Sequence, residues 1–250
     1  MIIDAVIPAR LASSRFPNKP LADILGLPMI EHVRRRVCLC KKLNKVFVAT
    51  CDSAIFDLVR NNNGLPLITS DAHRGCIDRA AEAALSSQAD FIILVQGDSP
   101  LVYPDEIDLV ISEIEKYPEA ACINLMTPVK NETELYSKNT VKVVCSKNGE
   151  ALYFSREPIP TPKKNEAGNF MRYKQQGIFG FRKDILLKYK ELKDAPLEIA
   201  ESVDVLRFIE NGLKIRMVKN TIDYPYVDTP SDIELVISGF KNDPYFKKYK

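Results

Sequence analysis

Histidine is scarce, the cysteines are not spaced for a metal, and the loop after the first strand contains no glycine. Each shortage closes off a class of chemistry. With only His32 and His73, histidine-based metal sites and catalytic triads have little to work with. Cys38, Cys40, Cys51, Cys76, Cys122 and Cys145 form no C-x-x-C pair and lie mostly in apolar surroundings. They read as reduced packing residues rather than a zinc or disulfide framework. Neither G-x-x-x-x-G-K-[ST] nor G-x-G-x-x-G occurs, which excludes a Walker loop and a Rossmann fingerprint. A formal net charge of +2 lacks the basic excess of a dedicated nucleic-acid binder. No apolar run approaches the roughly 18 residues that span a bilayer. The chain opens directly into a strand pattern with no charged n-region, h-region or cleavage site, so a cytoplasmic protein without membrane contact is expected.

What is present is an alternation of apolar strands and amphipathic helices over 250 residues, enough for a large core. The spacing predicts strands over 2–7, 45–50, 67–69 and 91–95, with Pro8 ending the first. Helices are predicted over 28–40, 53–61, 77–86 and 104–116, the last opened by acids that suit its dipole. This rhythm predicts an α/β fold with a mixed, mostly parallel sheet covered on both faces. The second half reads as strands over 122–126, 140–145, 152–154, 177–181 and 215–218, with helices over 184–190 and 198–210 and a last one from Pro230. Asn211-Gly212 forms a helix C-cap signal. Residues 158–162 are proline-rich, 163–169 suggest a mobile excursion, and 241–250 read as a solvated basic tail. No linker separates two domains, so 1–250 is expected to be a single unit.

The chemistry concentrates at strand ends. Arg10, Arg15 and Lys19 share the loop after the first strand, stiffened by Pro8 and Pro17. Cations at the carboxyl end of a strand in an open α/β sheet suit a polyanionic phosphate; the alternative is a solvated basic loop. Asp98 follows the most apolar strand, where a carboxylate can hold Mg²⁺ against nucleotide phosphates, or can simply cap a turn. Asp228 again lies between an extended segment and a helix start, as a second acid or as an N-cap. Asp232 then falls in the first turn of that helix. Two acids and three cations around one crevice describe a nucleotidyltransferase better than a hydrolase.

The blocks IPARLASSRFPNKPL, LGLPMIEHVRRRV, VQGDSPLV, VKVVCSKNGEALYFSREPIP, GIFGFRKDILLKY and VDTPSDIELV occur in this order over nearly the whole chain. Together they resemble the 3-deoxy-manno-octulosonate (Kdo) cytidylyltransferases, or CMP-Kdo synthetases. The sialic-acid cytidylyltransferases are similar only in the opening loop and general plan. The resemblance implies a nucleotide-diphospho-sugar transferase-like, Rossmann-like three-layer sandwich. Its nucleotide-binding half would be 1–120, and its sugar-binding and dimerisation half 121–250. It implies that Arg10, Lys19, Asp98 and Asp228 are catalytic and that Asp98 and Asp228 hold Mg²⁺. Pro8, Ala9, Arg10, Arg15, Lys19, Arg74, Asp78 and Gln96 would bind the nucleotide, CTP. Gln96, Arg156, Gln175, Phe179, Asp204 and Val205 would face the sugar, with Arg156 on its carboxylate. The implied reaction joins CMP to the anomeric hydroxyl of a sugar acid and releases pyrophosphate, for lipopolysaccharide or other cell-surface polysaccharide synthesis. A homodimer formed through 152–154 and 158–162 is also implied.

The departures from the family fall mainly on the sugar side. Where the family has His-Leu-Gly-Ile-Tyr, this chain has Gln175-Gln176-Gly177-Ile178-Phe179. Its Glu-Gln pair is Asp204-Val205 here, and its Ser-Gly-Thr is Gly75-Cys76-Ile77. Arg74-Gly75 is also similar to the spore-coat polysaccharide cytidylyltransferase-like proteins. Losing polar partners of a buried hydroxyl shifts discrimination by several kcal/mol. Two alternatives therefore stand beside Kdo: a different sugar acid or NTP, or a catalytically silent nucleotide-binding homologue.

Overall fold

The first strand, β1 (Ile3–Ala9), shows how the sheet is built. Ile3, Ala5 and Ile7 point into one hydrophobic layer and Val6 into the other, the period-2 alternation of a strand covered on both faces. The computed structural model describes residues 1–13, 15–161, 170–193 and 195–250. Pro162 and the excursion expected over 163–169 lie outside the described residues.

After a hairpin of β2 (Asp23–Ile24) and β3 (Leu27–Pro28), the chain forms α1 (Met29–Val37), β4 (Lys45–Thr50), α2 (Ser53–Asn61) and β5 (Leu65–Ile68). Then come α3 (Cys76–Ala84), β6 (Phe91–Val95), α4 (Pro104–Lys116), β7 (Cys122–Pro128) and α5 (Glu132–Tyr136). The second half continues with β8 (Lys142–Cys145), β9 (Ala151–Ser155), β10 (Tyr173–Arg182), α6 (Lys183–Leu187), α7 (Pro196–Glu201) and α8 (Leu206–Glu210). It ends in β11 (Ile215–Lys219), α9 (Asp232–Phe240) and α10 (Phe246–Tyr249).

The main sheet has the order β11-β7-β10-β6-β1-β4-β5, with β8 and β9 attached beside β10. Its β1, β4, β5, β6, β7 and β11 run in one direction, and β10 runs against β6 and β7 between them. The mostly parallel, two-faced sheet predicted from the alternation is what forms. Helices α1, α2, α4 and α9 cover one face, and α3, α6 and α8 the other.

Several expectations need correction. Pro8 does not end β1: the register with β4 runs on to Ala9 opposite Thr50, whereas β6 pairs only as far as Val6. A proline is tolerated there because the missing N–H can face the unpaired side. The helix expected over 198–210 is two helices, broken where Ser202 takes a left-handed φ of 53°. The C-cap at Gly212 holds, with φ of +77°. The tail 241–250 is not merely solvated. Asp243 forms a fully buried ion pair with Arg36 on α1, and Phe246 stacks on His32 and packs at a tilt against Phe240. All six cysteines are free thiols.

Candidate active site

Strands β1 and β6 end side by side, and the loops leaving them form the floor of a crevice. Gly97 lets them approach: a Cβ there would lie 2.6 Å from the Pro8 carbonyl oxygen. A backbone oxygen cannot swing away as a side chain can. Gly97→Ala is therefore expected to cost about 1–3 kcal/mol of stability. Thermal unfolding checks this, and an unchanged midpoint would show that the strand ends have room to spare.

Asp98 follows Gly97, and its carboxylate oxygen Oδ2 accepts from Lys19 Nζ at 3.0 Å. Lys19 also donates to the Val227 carbonyl at 2.7 Å, and the Val227 N–H donates to the Asp98 carbonyl at 3.0 Å. Three distant segments are thus tied at one point. One residue further, Asp228 pairs with Arg15 at 3.2 Å, and Arg15 also donates to Asn139 Oδ1 at 2.9 Å. The N-cap alternative for Asp228 is not what forms. Asp232, in the first turn of α9, accepts from the backbone N–H groups of Asp228 and Thr229 at 2.9 and 2.7 Å. This frees the Asp228 carboxylate to face the crevice.

The donor set fits a hard divalent cation. Asp98 Oδ1 is buried without a hydrogen-bond partner among the described residues, and Asp228 supplies a second carboxylate on the same crevice. Among the described residues no cluster of three or more His, Cys, Asp or Glu surrounds such an ion. Mg²⁺ commonly takes one or two carboxylates and completes its shell with water and substrate phosphates.

Four connected recesses receive the residues singled out from the sequence. Pro8, Ala9, Arg10, Arg15, Lys19 and Asp98 line the first. A side recess is lined by Arg10 and Arg74, together with His73 and Arg79. On the opposite side, Gln96, Arg156, Gln175, Phe179, Asp204 and Val205 all line one recess. Between these recesses, Asp98, Asp228, Arg15 and Gln96 share a wall with Arg156 and Gln175. Asp78 is not brought to them: it lies on α3, 3.9 Å from Arg207.

Arg156 is held by backbone carbonyls rather than by a carboxylate partner among the described residues. Its guanidinium donates to the carbonyls of Lys138, Glu201 and Ser202 at 2.7, 2.7 and 2.9 Å, leaving two of its five N–H groups without a partner among the described residues. Two departures prove to be one feature. The Asp204 carboxylate sits at the N-terminus of α3, accepting from the Ile77 N–H at 3.4 Å and the Cys76 thiol at 3.5 Å. It occupies space that a Cβ on Gly75 would invade, at 2.2 Å. Burial and this neighbouring carboxylate push the Cys76 thiol well above its usual range, so the thiol stays neutral. Phe179 lines the recess but is buried, stacked on Phe181 within the second core layer.

Sequence reasoning missed Asn139, Lys174 and Tyr226, which line the shared wall. Tyr226 stands two residues before Asp228, a proximity that was available as a signal. Lys174 had none, since its partners Glu134 and Asp223, at 2.8 and 2.9 Å, come from remote segments. His73 was set aside because histidines are few, yet it lines the Arg10 recess and is paired with Glu82.

Comparison with known proteins places the chain in a family. A family model described as cytidylyltransferase matches residues 5–215. The chain is 40% identical over 246 residues to the 3-deoxy-manno-octulosonate cytidylyltransferase of Geobacter metallireducens, covering 95% of this chain and 97% of the relative. It is 39% identical over 250 residues to the enzyme of that name from Geobacter sulfurreducens, covering 96% and 100%. Among solved structures, CMP:2-keto-3-deoxy-manno-octonic acid synthetase complexed with CTP superposes with a TM-score of 0.90 at 35% identity. That superposition covers 96% of this chain and 98% of the other.

Proposed function

The chain belongs to the 3-deoxy-manno-octulosonate cytidylyltransferase family, a family of nucleotidyltransferases, and from that premise we propose that it transfers CMP from CTP to the anomeric hydroxyl of Kdo or a closely similar 3-deoxy keto-sugar acid. The observation that carries this reading is the continuity of the crevice. The cationic β1 loop and the two acids open directly onto the recess holding Arg156 and Gln175.

In the proposed reaction the anomeric oxygen attacks the α-phosphorus of CTP, the bond to the β-phosphate oxygen breaks, and pyrophosphate leaves. The hydroxyl proton is released to solvent. Positioning and charge neutralisation supply most of the acceleration. Arg10, Arg15 and Lys19 neutralise the triphosphate, and Lys19 stands nearest the acid that orients it. Asp98 and Asp228 would hold Mg²⁺, which supplies Lewis-acid charge withdrawal from the phosphate oxygens and acidifies the attacking hydroxyl. In the free protein these acids are paired with Lys19 and Arg15, so both cations must exchange carboxylate for phosphate when the nucleotide binds. The remaining N–H groups of Arg156 suit the sugar's carboxylate, and Gln96 sits between the two substrates' recesses.

Homodimerisation is part of this proposal. It is supported by the edge of β9, which among the described residues pairs only with β8, and by Leu152 on it, 58% exposed. A cytoplasmic site of action and a role in lipopolysaccharide synthesis follow from the family's product class, and among the described residues no helix is long and apolar enough to cross a membrane.

Incubation with CTP, Mg²⁺ and Kdo is expected to release pyrophosphate and yield a product with the mass of CMP-Kdo. The same assay across four NTPs and a panel of keto-sugar acids reads out specificity. Tight CTP binding without turnover on any sugar acid would overturn the proposal in favour of a silent homologue.

A further inference from the structure

We propose that Glu106 is a positioning residue for the sugar side of the crevice: acting through Gln176, its carboxylate holds the stretch of β10 that presents Gln175 and Gly177. The inference rests on the reading of that wall as the sugar side.

Glu106 lies in the first turn of α4 and is 1% exposed. One oxygen, Oε2, accepts from the Tyr103 N–H at 3.0 Å, closing the cap of α4. Capping needs only that oxygen. The other, Oε1, accepts from Gln176 Nε2 at 3.1 Å and Asn220 Nδ2 at 2.7 Å. Gln176 is as deeply buried, and both ends of its amide are engaged: Nε2 also donates to the Ile222 carbonyl at 3.0 Å, and Oε1 accepts from Asn220 at 2.8 Å.

The backbone at this point lacks ordinary ladder support on its β7 side. Register between β10 and β7 runs through Gln175, then resumes shifted at Phe179. Across the gap, Asn124 Nδ2 donates to the carbonyls of Gln176 and Ile178 at 2.9 and 2.8 Å, and the Gln96 N–H donates to the Gly177 carbonyl at 2.9 Å. Strand alternation sets Gln175 and Gly177 on the wall shared with Gln96 and Asp98, and the break in pairing with β7 leaves that stretch without its neighbour strand to hold it. The Gln176 side chain points the other way, into the network, and Glu106 is its anchor. Burial pushes the Glu106 carboxyl up to about 7, an expensive way to fill a helix's first turn.

Glu106→Gln replaces an acceptor by an amide that cannot serve all three donors, and Gln176→Leu cuts the same link from its other end. Each is expected to raise KM for Kdo about ten-fold, the scale of a lost buried bond to a charged group. The kcat and the KM for CTP should change little. The double variant should be no worse than either single one, and Glu106→Asp should recover part of the loss. Because two variants probe one link, the test survives if one fails to fold. Additive effects, or a parallel rise in KM for CTP, would overturn the proposal. A second arm needs no substrate: amide hydrogen exchange at 175–178 should accelerate in both variants of the free protein. Unchanged exchange would overturn the positioning role even if the wild-type protein proves inactive on Kdo, whereas inactivity alone would count against the assigned reaction.

Discussion

Asp98→Asn is expected to lower kcat by about 10³-fold, the scale seen when a group that stabilises transition-state charge is removed. The substitution keeps the size and hydrogen-bonding shape of the side chain and deletes one charge. That charge has two uses in the crevice. It orients Lys19, whose ammonium lies 3.0 Å away, and it gives Oδ1, buried without a partner among the described residues, the charge that the proposed divalent cation would need. An amide at this position is a poor ligand for such an ion and offers Lys19 only a neutral oxygen. Nucleotide binding measured without Mg²⁺ should persist, because Arg10, Arg15 and Lys19 remain to meet the triphosphate. A variant within ten-fold of wild-type turnover at saturating Mg²⁺ would remove Asp98 from the catalytic group. Asp228→Asn tests the companion acid, with Arg15 as the cation set free.

The largest effect on stability is expected at Arg36. Its side chain and that of Asp243 are both fully buried, and the two form an ion pair. The guanidinium also donates to the carbonyls of Val102 and Leu101 at 2.6 and 3.1 Å, and lies over the rings of Tyr103, Tyr245 and Tyr249. Removing one member of a buried pair leaves the other charge uncompensated, so Asp243→Ala should cost about 3–5 kcal/mol. A urea unfolding curve with an unchanged slope and a lowered midpoint would show it. Replacing both members with apolar residues often restores such losses. Here Arg36→Met with Asp243→Leu should recover only part, because two buried carbonyls still lose their donor. Full recovery would show that the carbonyl bonds contribute nothing. The pair matters to the site because Leu101 and Val102 end the loop that carries Asp98.

The parts legible in the sequence share a physical property: they are local. The strand over 91–95 and the helix over 104–116 form with the predicted boundaries, since five consecutive apolar residues and a proline-acid helix start need no distant partner. The position of Asp98 at a strand's carboxyl edge, and of three cations after β1, was readable on the same basis. Where local preference was ambiguous, packing decided. The expected single helix over 198–210 breaks at Ser202, whose carbonyl accepts from Arg156. The basic tail looked like a solvated end, but its Asp243 and Tyr249 complete the surroundings of Arg36 and His32.

By itself, the sequence determined the α/β class, the cationic loop, the two acids and the family. These follow from periodicity, residue chemistry and order along the chain. Only the tertiary structure decided how they meet. It set β10 antiparallel between β6 and β7, paired Lys19 with Asp98 and Arg15 with Asp228, and joined Gly75 to Asp204 across 129 positions of chain. It also buried Glu106 beneath a bulge that no periodicity announces. The reason is physical. Hydrogen bonds and ion pairs between remote segments depend on sheet order and register, and the pattern of any one segment is compatible with several of each.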